Sequence, residues 1–298
     1  MRLPNTSQIS DEQESVYLDA PLDRHILVTG PPGTGKTVIA FLRARTLAKA
    51  GKKNGHVPVV IMFNRVLRRY TENAAKDDFL VKTMHSWVPR WWNSLGVKGL
   101  QHGQRFILDC PFSEKDEAKD LGARWNKYQK KWWISREQLR EDPEEYERWN
   151  PTSDIPKVDG DKYAFDWDVM CKMILSEVND GGVNRKKLNW GQLIIDEGQD
   201  FSPDMYEFFR ALTDFCFEGD SNPPVVTVFA DENQRLQEQH NSSIAEICKQ
   251  LEVSKDHSYT LSRNYRNSRP IGQLAAHFYV GLATGKPDLP SQKGLTPV

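Results

Sequence analysis

Residues 30–37 read Gly30-Pro31-Pro32-Gly33-Thr34-Gly35-Lys36-Thr37. They follow a short apolar run, His25–Thr29, that predicts a buried strand, and they open a helical pattern over Lys36–Lys49. Glycines let backbone N–H groups curl around phosphate oxygens, and the helix N-terminus favours an anion. The stretch therefore predicts a P-loop in which Lys36 reaches the β- and γ-phosphates and Thr37 binds magnesium. The alternative is an ordinary Gly/Pro turn before a helix.

Two carboxylates follow a second buried strand, in the sequence Ile-Ile-Asp-Glu-Gly-Gln-Asp at residues 194–200. Carboxylates at such a position are costly unless a metal ion or ordered water uses them. We expect Asp196 to hold magnesium through its water shell and Glu197 to polarise an attacking water. The alternative is an acidic strand-to-loop transition without a chemical role.

Short apolar runs alternate with helical patterns along most of the chain. This alternation predicts an α/β fold in which a parallel sheet is flanked by helices. The predicted strands are His25–Thr29, Val57–Phe63, Phe79–Thr83, Gln192–Asp196, Val225–Ala230 and Ser258–Leu261. The predicted helices include Lys36–Lys49, Pro203–Phe215 after an N-cap at Ser202, and Ile244–Leu251.

Three further motifs join these two in a fixed order: Gln13, FADENQ at residues 229–234, and RNYR at residues 263–266. The ordered set resembles the first motor domain of a UvrD/Rep-like superfamily 1 DNA helicase. The resemblance covers Ile9–Phe63, Val81–Trp87 and Leu188–Gly281. It implies a RecA-like P-loop ATPase domain with ATP and Mg2+ as cofactors.

The resemblance also implies roles for residues of the ATP site. Gln13 matches the glutamine that contacts adenine, and Gln234 matches the one that couples the γ-phosphate to the bound strand. Tyr265 matches a residue that stacks on the base, and Arg266 matches the arginine that reaches the γ-phosphate.

Two segments, FNRVL at residues 63–67 and TMHSW at residues 83–87, resemble the family's single-strand-contacting motifs. The resemblance implies contacts to single-stranded DNA from Asn64, Arg65, Thr83 and His85. Such contacts go to phosphate and sugar, so we expect binding that is largely independent of base sequence. Alternatively, Asn64 and His85 cap helices or satisfy buried backbone groups.

The alternation breaks over about residues 87–190, where we predict a small α+β unit. Its predicted elements are a strand over Arg105–Cys110, a helix over Ser113–Gly122 capped by Ser113 with Asp116, and a strand over Lys131–Ser135. The Pro-, Asp- and Gly-rich residues 150–162 predict a linker.

The resulting domain prediction has three parts. Residues 1–97 and 161–262 form a discontinuous first RecA-like ATPase domain, residues 98–160 form an inserted small domain with its linker, and residues 263–298 form the motif IV helix and a connector toward a second RecA-like domain.

Residues 106–135 resemble a small domain of unknown function that occurs attached to primases and plasmid-transfer proteins. Basic side chains alternate there with Trp125, Trp132 and Trp133. This pattern suits a phosphate backbone with bases stacked on the rings. The alternative, which we favour for most of these rings, is that so small a unit needs its tryptophans for its own core.

Composition restricts the partners. Lys and Arg number 40 against 41 Asp and Glu, so the formal net charge is −1 and any nucleic-acid surface has to be local. The four cysteines lie far apart, which argues against a zinc site and a disulfide scaffold. The N-terminus resembles no signal peptide and the apolar runs are short, so we expect a soluble, cytoplasmic protein with no membrane partner.

By resemblance, a second RecA-like domain completes the ATP site, supplied in cis by a longer chain or by a partner. It contributes an arginine that can be worth roughly 10³–10⁵ in rate, so we expect the 298 residues alone to hydrolyse ATP slowly. The full motor would move 3′ to 5′ on single-stranded DNA. Two alternatives stay open: a nucleotide-dependent binding module that acts with a partner subunit, and an RNA-directed helicase.

Overall fold

The structure is a computed structural model that describes residues 9–51, 56–62, 78–98, 105–127, 130–158, 161, 163–231 and 241–265. The chain divides into two compact units. The first combines Met1–Ser86 with Asn189–Val298, and the second is Trp87–Leu188. The predicted insertion, 98–160, lies within the second unit, and the predicted domain limits stay predictions. No helix in the described ranges is long and apolar enough to cross a membrane.

The secondary-structure elements of the described residues are numbered in chain order. The strands are β1 (Ile26–Thr29), β2 (Val59–Met62), β3 (Leu80–Lys82), β4 (Arg105–Leu108), β5 (Arg124–Asn126), β6 (Lys131–Ser135), β7 (Thr152–Ser153), β8 (Gln192–Asp196), β9 (Val225–Ala230) and β10 (Ser258–Thr260). The α-helices are α1 (Asp11–Glu14), α2 (Lys36–Gly51), α3 (Met84–Leu95), α4 (Lys115–Asp120), α5 (Arg136–Glu141), α6 (Pro143–Glu147), α7 (Trp167–Asn179), α8 (Arg185–Leu188), α9 (Pro203–Phe217) and α10 (Ile244–Gln250). A π-helix, Ser15–Asp19, continues α1.

The first unit is built on a parallel sheet. Among the described residues it has six strands in the order β10-β1-β9-β8-β2-β3, and every adjacent pair is parallel. The strands β1, β2 and β9 are buried at every position, as expected when both faces of a parallel sheet are covered. Because the strands are parallel, their carboxyl ends meet at one edge, where ligands bind in open α/β sheets.

Helix α2 packs its apolar residues into the core of this unit. Ile39, Phe41 and Leu47 belong to one buried cluster with Val28 of β1 and Ile194 of β8. The helix begins at Lys36, so this packing fixes the position of the segment that joins β1 to α2.

The second unit has its own sheet and its own core. Among the described residues its sheet is four-stranded and antiparallel, in the order β5-β6-β4-β7. The helices α4, α5 and α6 follow and flank these strands in sequence. One buried cluster packs with this sheet and is made of Phe106, Leu108, Ala118, Ala123, Ile134, Tyr146 and Trp149.

The predicted fold class is confirmed: the structure is α/β, with a parallel sheet flanked by helices and a small α+β unit within it. Each predicted strand of the large sheet is present. The strands β8 and β9 have the predicted bounds, the other four are one or two residues shorter among the described residues, and Phe63 lies outside the described residues.

Two local predictions are wrong. Ser113 does not cap its helix, because residues 112–114 form a 3₁₀ turn and α4 begins only at Lys115, without a side-chain cap. The predicted linker, residues 150–162, includes a short strand: its residues Thr152 and Ser153 form β7 and pair with Phe106 and Ile107 of β4.

Candidate nucleotide-binding site

The loop at residues 30–37 connects β1 directly to α2. Gly33 and Gly35 have φ angles of +87° and +85°, a left-handed conformation that is easily adopted only by glycine. Thr34 between them is fully buried, and its hydroxyl donates to the Pro31 carbonyl at 3.0 Å. The loop therefore turns onto the helix N-terminus with its backbone held from inside, as a phosphate-binding loop requires.

Lys36 turns back onto this loop. Its Nζ donates to the carbonyl oxygens of Gly30 at 2.6 Å and Pro31 at 3.2 Å, and it lies 3.3 Å from Oδ2 of Asp231. The Lys36 side chain is 6% exposed and that of Asp231 is fully buried. A buried ammonium needs such acceptors. A phosphate that binds Lys36 has to compete with these acceptors for its protons.

Thr37 connects the loop to the end of β8. Its hydroxyl donates to Oδ2 of Asp196 at 2.8 Å, across 159 positions of sequence. The lysine, the threonine and the acidic motif thus converge at the carboxyl edge of the sheet.

The Asp196 carboxylate is 1% exposed, and its Oδ1 has no hydrogen-bond partner among the described residues. The pKa of this carboxyl is raised to about 7, first by burial and then by the charge of Glu197, against the hydrogen bond from Thr37 and the charge of Lys36. A divalent cation would supply the positive partner that Oδ1 lacks.

The residues present fit a magnesium ion that is shared with a phosphate. No group of three or more His, Cys, Asp or Glu side chains suited to a metal occurs in the described parts of the chain. Magnesium does not need such a group, since it commonly takes one or two protein oxygens together with water and substrate phosphates. Thr37 would bind the ion through its hydroxyl, and Asp196 would hold it through its water shell.

Glu197 begins a sharp turn after β8. It has φ 56° and ψ 50°, a left-handed conformation that costs roughly 1–3 kcal/mol in a residue other than glycine. The next residue, Gly198, has no space for a side chain, because a Cβ there would overlap Val228. The Gly198 carbonyl accepts a hydrogen bond from the Tyr206 hydroxyl. Packing around Gly198 therefore holds Glu197 in its strained conformation.

Gln199 is a site residue that the sequence reasoning missed. It is fully buried, its Nε2 donates to Oε2 of Glu197 at 2.9 Å, and its Oε1 accepts from the Asp231 backbone N–H at 2.9 Å. It thus connects the acid after β8 to the acid after β9. Its position within the acidic motif at 194–200 is the signal that could have identified it.

Gln13 lies against the loop. It is the third residue of α1 and completes a capping box with Ser10. Its Nε2 donates to the Thr34 carbonyl at 3.0 Å, and its Oε1 accepts from the Ser10 backbone at 3.3 Å. The predicted contact to adenine would use the second N–H of this amide or displace one of these bonds.

The segment after β10 also packs on the loop. The Tyr265 backbone N–H donates to the Gly33 carbonyl at 2.8 Å, and Asn264 Nδ2 donates to the Pro32 carbonyl at 3.3 Å. A side chain at Gly33 would collide with Asn264. The Tyr265 ring is 43% exposed, so a planar group can still reach it. Asn264 is a second contact to the loop that sequence reasoning missed.

The residues predicted to contact nucleic acid are only partly described. Thr83 is buried after β3, and His85 is exposed in the first turn of α3. Since β3 lies four positions from β1 in the sheet, these residues lie about 19 Å along the carboxyl edge from the P-loop strand. Four other predicted residues lie outside the described residues: Asn64, Arg65, Gln234 and Arg266.

One family model matches within the second unit. Residues 105–151 match a family described as "Domain of unknown function (DUF5710)". The match runs from the first residue of β4 to the residue before β7, and it confirms the expected small domain of unknown function. No curated protein matches the sequence.

Solved structures of a Bacteroides helicase, Pif1, are similar to the chain. The complex of Pif1 from a Bacteroides species with ADP-AlF4 has 15% identity and a TM-score of 0.36, over 90% of this chain and 45% of that chain. Bacteroides Pif1 bound to single-stranded DNA has 14% identity and a TM-score of 0.34, over 92% of this chain and 45% of that chain. The chain thus spans about half the length of these proteins.

Proposed function

We propose that the first unit is the motor domain of an ATP-dependent DNA helicase or translocase of the UvrD/Rep-like group in superfamily 1. The observation that carries this proposal is the 2.8 Å hydrogen bond between Thr37 and Asp196. It joins a phosphate-binding loop to an acidic strand end, which is the arrangement that a Mg–ATP site needs.

Each side chain of this site has a distinct task. When bound, Mg–ATP supplies the phosphorus that is attacked and a metal charge that offsets the developing negative charge. Lys36 binds the β- and γ-phosphates, while Thr37 and Asp196 hold the metal. Glu197 accepts the proton of the attacking water as general base, and Gln199 orients its carboxylate.

The proposed roles of three other residues rest on the family resemblance. Tyr265 stacks on the base, Gln234 couples the γ-phosphate to the strand, and Arg266 reaches the γ-phosphate. A second RecA-like domain, in cis or from a partner, supplies another arginine and a second strand-binding surface. The complete motor moves 3′ to 5′ on single-stranded DNA.

The test is the rate of ATP hydrolysis with and without single-stranded DNA. We expect a low basal rate of ATP hydrolysis that DNA increases. In Glu197→Gln we expect no hydrolysis with or without DNA, while Mg–ATP still binds. Lys36→Ala should instead abolish binding of the nucleotide. Strand affinity that depends on ATP without turnover would favour a nucleotide-dependent switch over a motor. Stimulation by RNA but not by DNA would favour an RNA-directed enzyme. An unchanged rate in Glu197→Gln would contradict the proposed base.

A further inference from the structure

The small sheet of the second unit has one face on which the cluster of Phe106 and Ile134 does not pack; of its residues, Ile107 is buried at 7% exposure. Side chains alternate between the two faces of a strand, and Phe106, Leu108 and Ile134 point into the core. Arg105 and Trp133 occupy the alternate positions of β4 and β6. Arg124 of β5 is paired directly with Trp133, so it shares this outer face.

Two arginines lie over the same indole on this face. The guanidinium carbon of Arg105 is 4.7 Å from the centre of the Trp133 ring, and that of Arg124 is 5.5 Å from it. Both arginines are exposed and Trp133 is half-buried. Since they project from the strands on either side of β6, the guanidiniums are within about 10 Å of one another.

Within the described residues, Arg105 and Arg124 have no ion pair and no side-chain hydrogen bond. The same face also carries Lys131, whose Nζ is 2.9 Å from Oδ1 of Asp109. The face therefore carries three cations beside two carboxylates: Asp109, paired with Lys131, and Asp154, which lies opposite Arg105 and whose backbone N–H donates to the Arg105 carbonyl at 2.7 Å.

A second arginine–tryptophan pair in the same unit provides the contrast. Arg148 lies 4.2 Å from the Trp149 ring, but its guanidinium pairs with Glu117 at 2.8 Å. Trp149 is 1% exposed and donates to Glu114 at 2.6 Å, so its indole is part of the core. An arginine over an indole thus forms an ion pair here, whereas Arg105 and Arg124 form none with the described residues.

We propose that the outer face formed by Arg105, Trp133 and Arg124 binds the phosphate backbone of single-stranded nucleic acid. Both guanidiniums lie within cation–π distance of Trp133, and their N–H groups, which have no hydrogen-bond partner among the described residues, can donate to phosphate oxygens. This surface belongs to the second unit, whereas Thr83 and His85 belong to the first, and binding to it requires no nucleotide.

The chemistry of the face favours a single strand over a duplex or an acidic peptide. A guanidinium that rests on an indole presents its outer plane to a base, and unpaired bases stack on arginine planes and aromatic rings. In a duplex the base faces are hidden inside the stack. An acidic peptide would use the charges but has no planar groups to stack.

The test uses the complete 298-residue protein with a fluorescently labelled oligothymidylate, without ATP, over a series of salt concentrations. The variant is R105Q/R124Q, which keeps polar side chains but removes both charges. The matched control is R148Q, which removes an arginine that also lies on an indole but is already paired with Glu117. Thermal melting of all three proteins checks that the second unit is folded.

We expect R105Q/R124Q to bind the strand at least tenfold more weakly and R148Q to bind like the unaltered protein. A plot of log K against log salt has a negative slope, and each phosphate that an arginine no longer neutralises makes it shallower by about 0.7 for a single strand. The slope should therefore be shallower by about 1.4 in the double variant. Unchanged affinity and slope in the double variant would overturn the proposal. Equally tight binding to a duplex of the same length, or equal competition by polyglutamate, would overturn the preference for a single strand.

These outcomes are separable from those of the ATPase test. If the first unit does not hydrolyse ATP, the R105Q/R124Q effect on strand binding without nucleotide is still expected. If the outer face does not bind nucleic acid, the effect of Glu197→Gln on hydrolysis is still expected.

Discussion

Asp196 and Glu197 are adjacent acids that the fold treats differently. Asp196 ends β8 as a buried carboxylate, with one oxygen held by Thr37 and the other without a partner among the described residues. Glu197 is turned out of the strand by its left-handed backbone, and its carboxylate is bound by Gln199. A buried oxygen next to a phosphate loop suits a metal ion, whereas an oriented carboxylate beyond the strand suits a water molecule.

Replacement of Gln199 by leucine should slow hydrolysis without preventing nucleotide binding. The leucine keeps the buried volume but removes the bonds to Glu197 and to the Asp231 backbone. A misplaced general base can cost about 10²-fold in rate, whereas binding of Mg–ATP through Lys36 and Thr37, as proposed, should be unchanged. The measurement is kcat and KM for ATP in the presence of single-stranded DNA.

The control for this variant is Gln192→Leu. Gln192 lies at the start of the same strand, and its amide donates to the Leu22 carbonyl at an exposed site. We expect kcat within about twofold of the unaltered protein, since exposed polar changes have small effects. A change in KM alone for Gln199→Leu would assign this residue to nucleotide binding rather than to positioning Glu197.

His25 should make the fold sensitive to acid. Its Nδ1 accepts from the Val226 backbone N–H at 3.1 Å, and burial, with a smaller effect from Arg210, lowers its pKa to about 4. In the unfolded chain the pKa of His25 is near 6.5, so between about pH 4 and pH 6.5 the unfolded state binds more protons than the folded state. Stability from this group is therefore complete above about pH 6.5 and is lost as the pH falls toward 4, by up to about 3 kcal/mol.

The measurement for His25 is the free energy of urea unfolding at pH 7.5 and at pH 5. His25→Asn is the comparison, because an asparagine oxygen can accept the same backbone hydrogen bond but does not titrate. The difference in stability between the two pH values should be smaller in the variant. Equal pH dependence in both proteins would show that His25 is not held in its neutral form.

At the scale of elements, the strands of the large sheet were predictable and several connections were not. Burial on both faces favours apolar residues, as at the three central positions of β8 and at five of the six positions of β9, and that pattern is visible in sequence. The strand β7 has only two residues, and it exists because β4 provides an edge for it to pair with. Nothing local in a Pro- and Asp-rich segment indicates such pairing.

Arg43 holds the π-helix Ser15–Asp19 against α2. The side chain is fully buried, and it donates to the carbonyl oxygens of Val16 and Ala20, at 3.0 and 3.1 Å, and of Pro21. Burial lowers the pKa of Arg43 to about 10, which keeps it charged near neutral pH. Arg43→Met would leave these carbonyls unsatisfied, and we expect a loss of about 3 kcal/mol or more in the free energy of unfolding.

The control for Arg43 lies on the same helix. Arg45 is 38% exposed and lies 3.5 Å from Asp78, and such a surface pair is worth about 1 kcal/mol or less. Urea unfolding of Arg43→Met and Arg45→Met measures the contrast. Similar losses in the two variants would contradict the role of Arg43 as the connection between these elements.

At the scale of the whole molecule, local sequence indicated the loop and the acidic pair of the candidate site but not the contacts that hold them. Glycine spacing and a buried strand before an acid are local patterns. The bond from Gln199 to the Asp231 backbone and that from Asn264 to Pro32 span 32 and 232 positions. Those contacts depend on which strands are neighbours in the folded sheet, and a single sequence does not specify that.

The excision of Lys98–Asn150 should leave nucleotide binding intact. The ends of this segment are adjacent, because the Ser153 backbone N–H donates to the Val97 carbonyl at 3.0 Å, and the Ser153 hydroxyl donates to the same oxygen. The Ser153 carbonyl also accepts from Trp92 Nε1, so these contacts between the flanks remain when a short glycine bridge replaces the segment, whereas the pairing of β7 with β4 is lost. The excised segment contains the core residues of the small sheet, whereas the loop and the acids of the candidate site belong to the other unit.

We therefore expect Mg–ATP affinity within about threefold of the unaltered protein in a fluorescent-nucleotide titration, since changes remote from a site usually act independently of it. Loss of both folding and nucleotide binding in the excised protein would show that the small sheet is part of the core on which the ATP site depends.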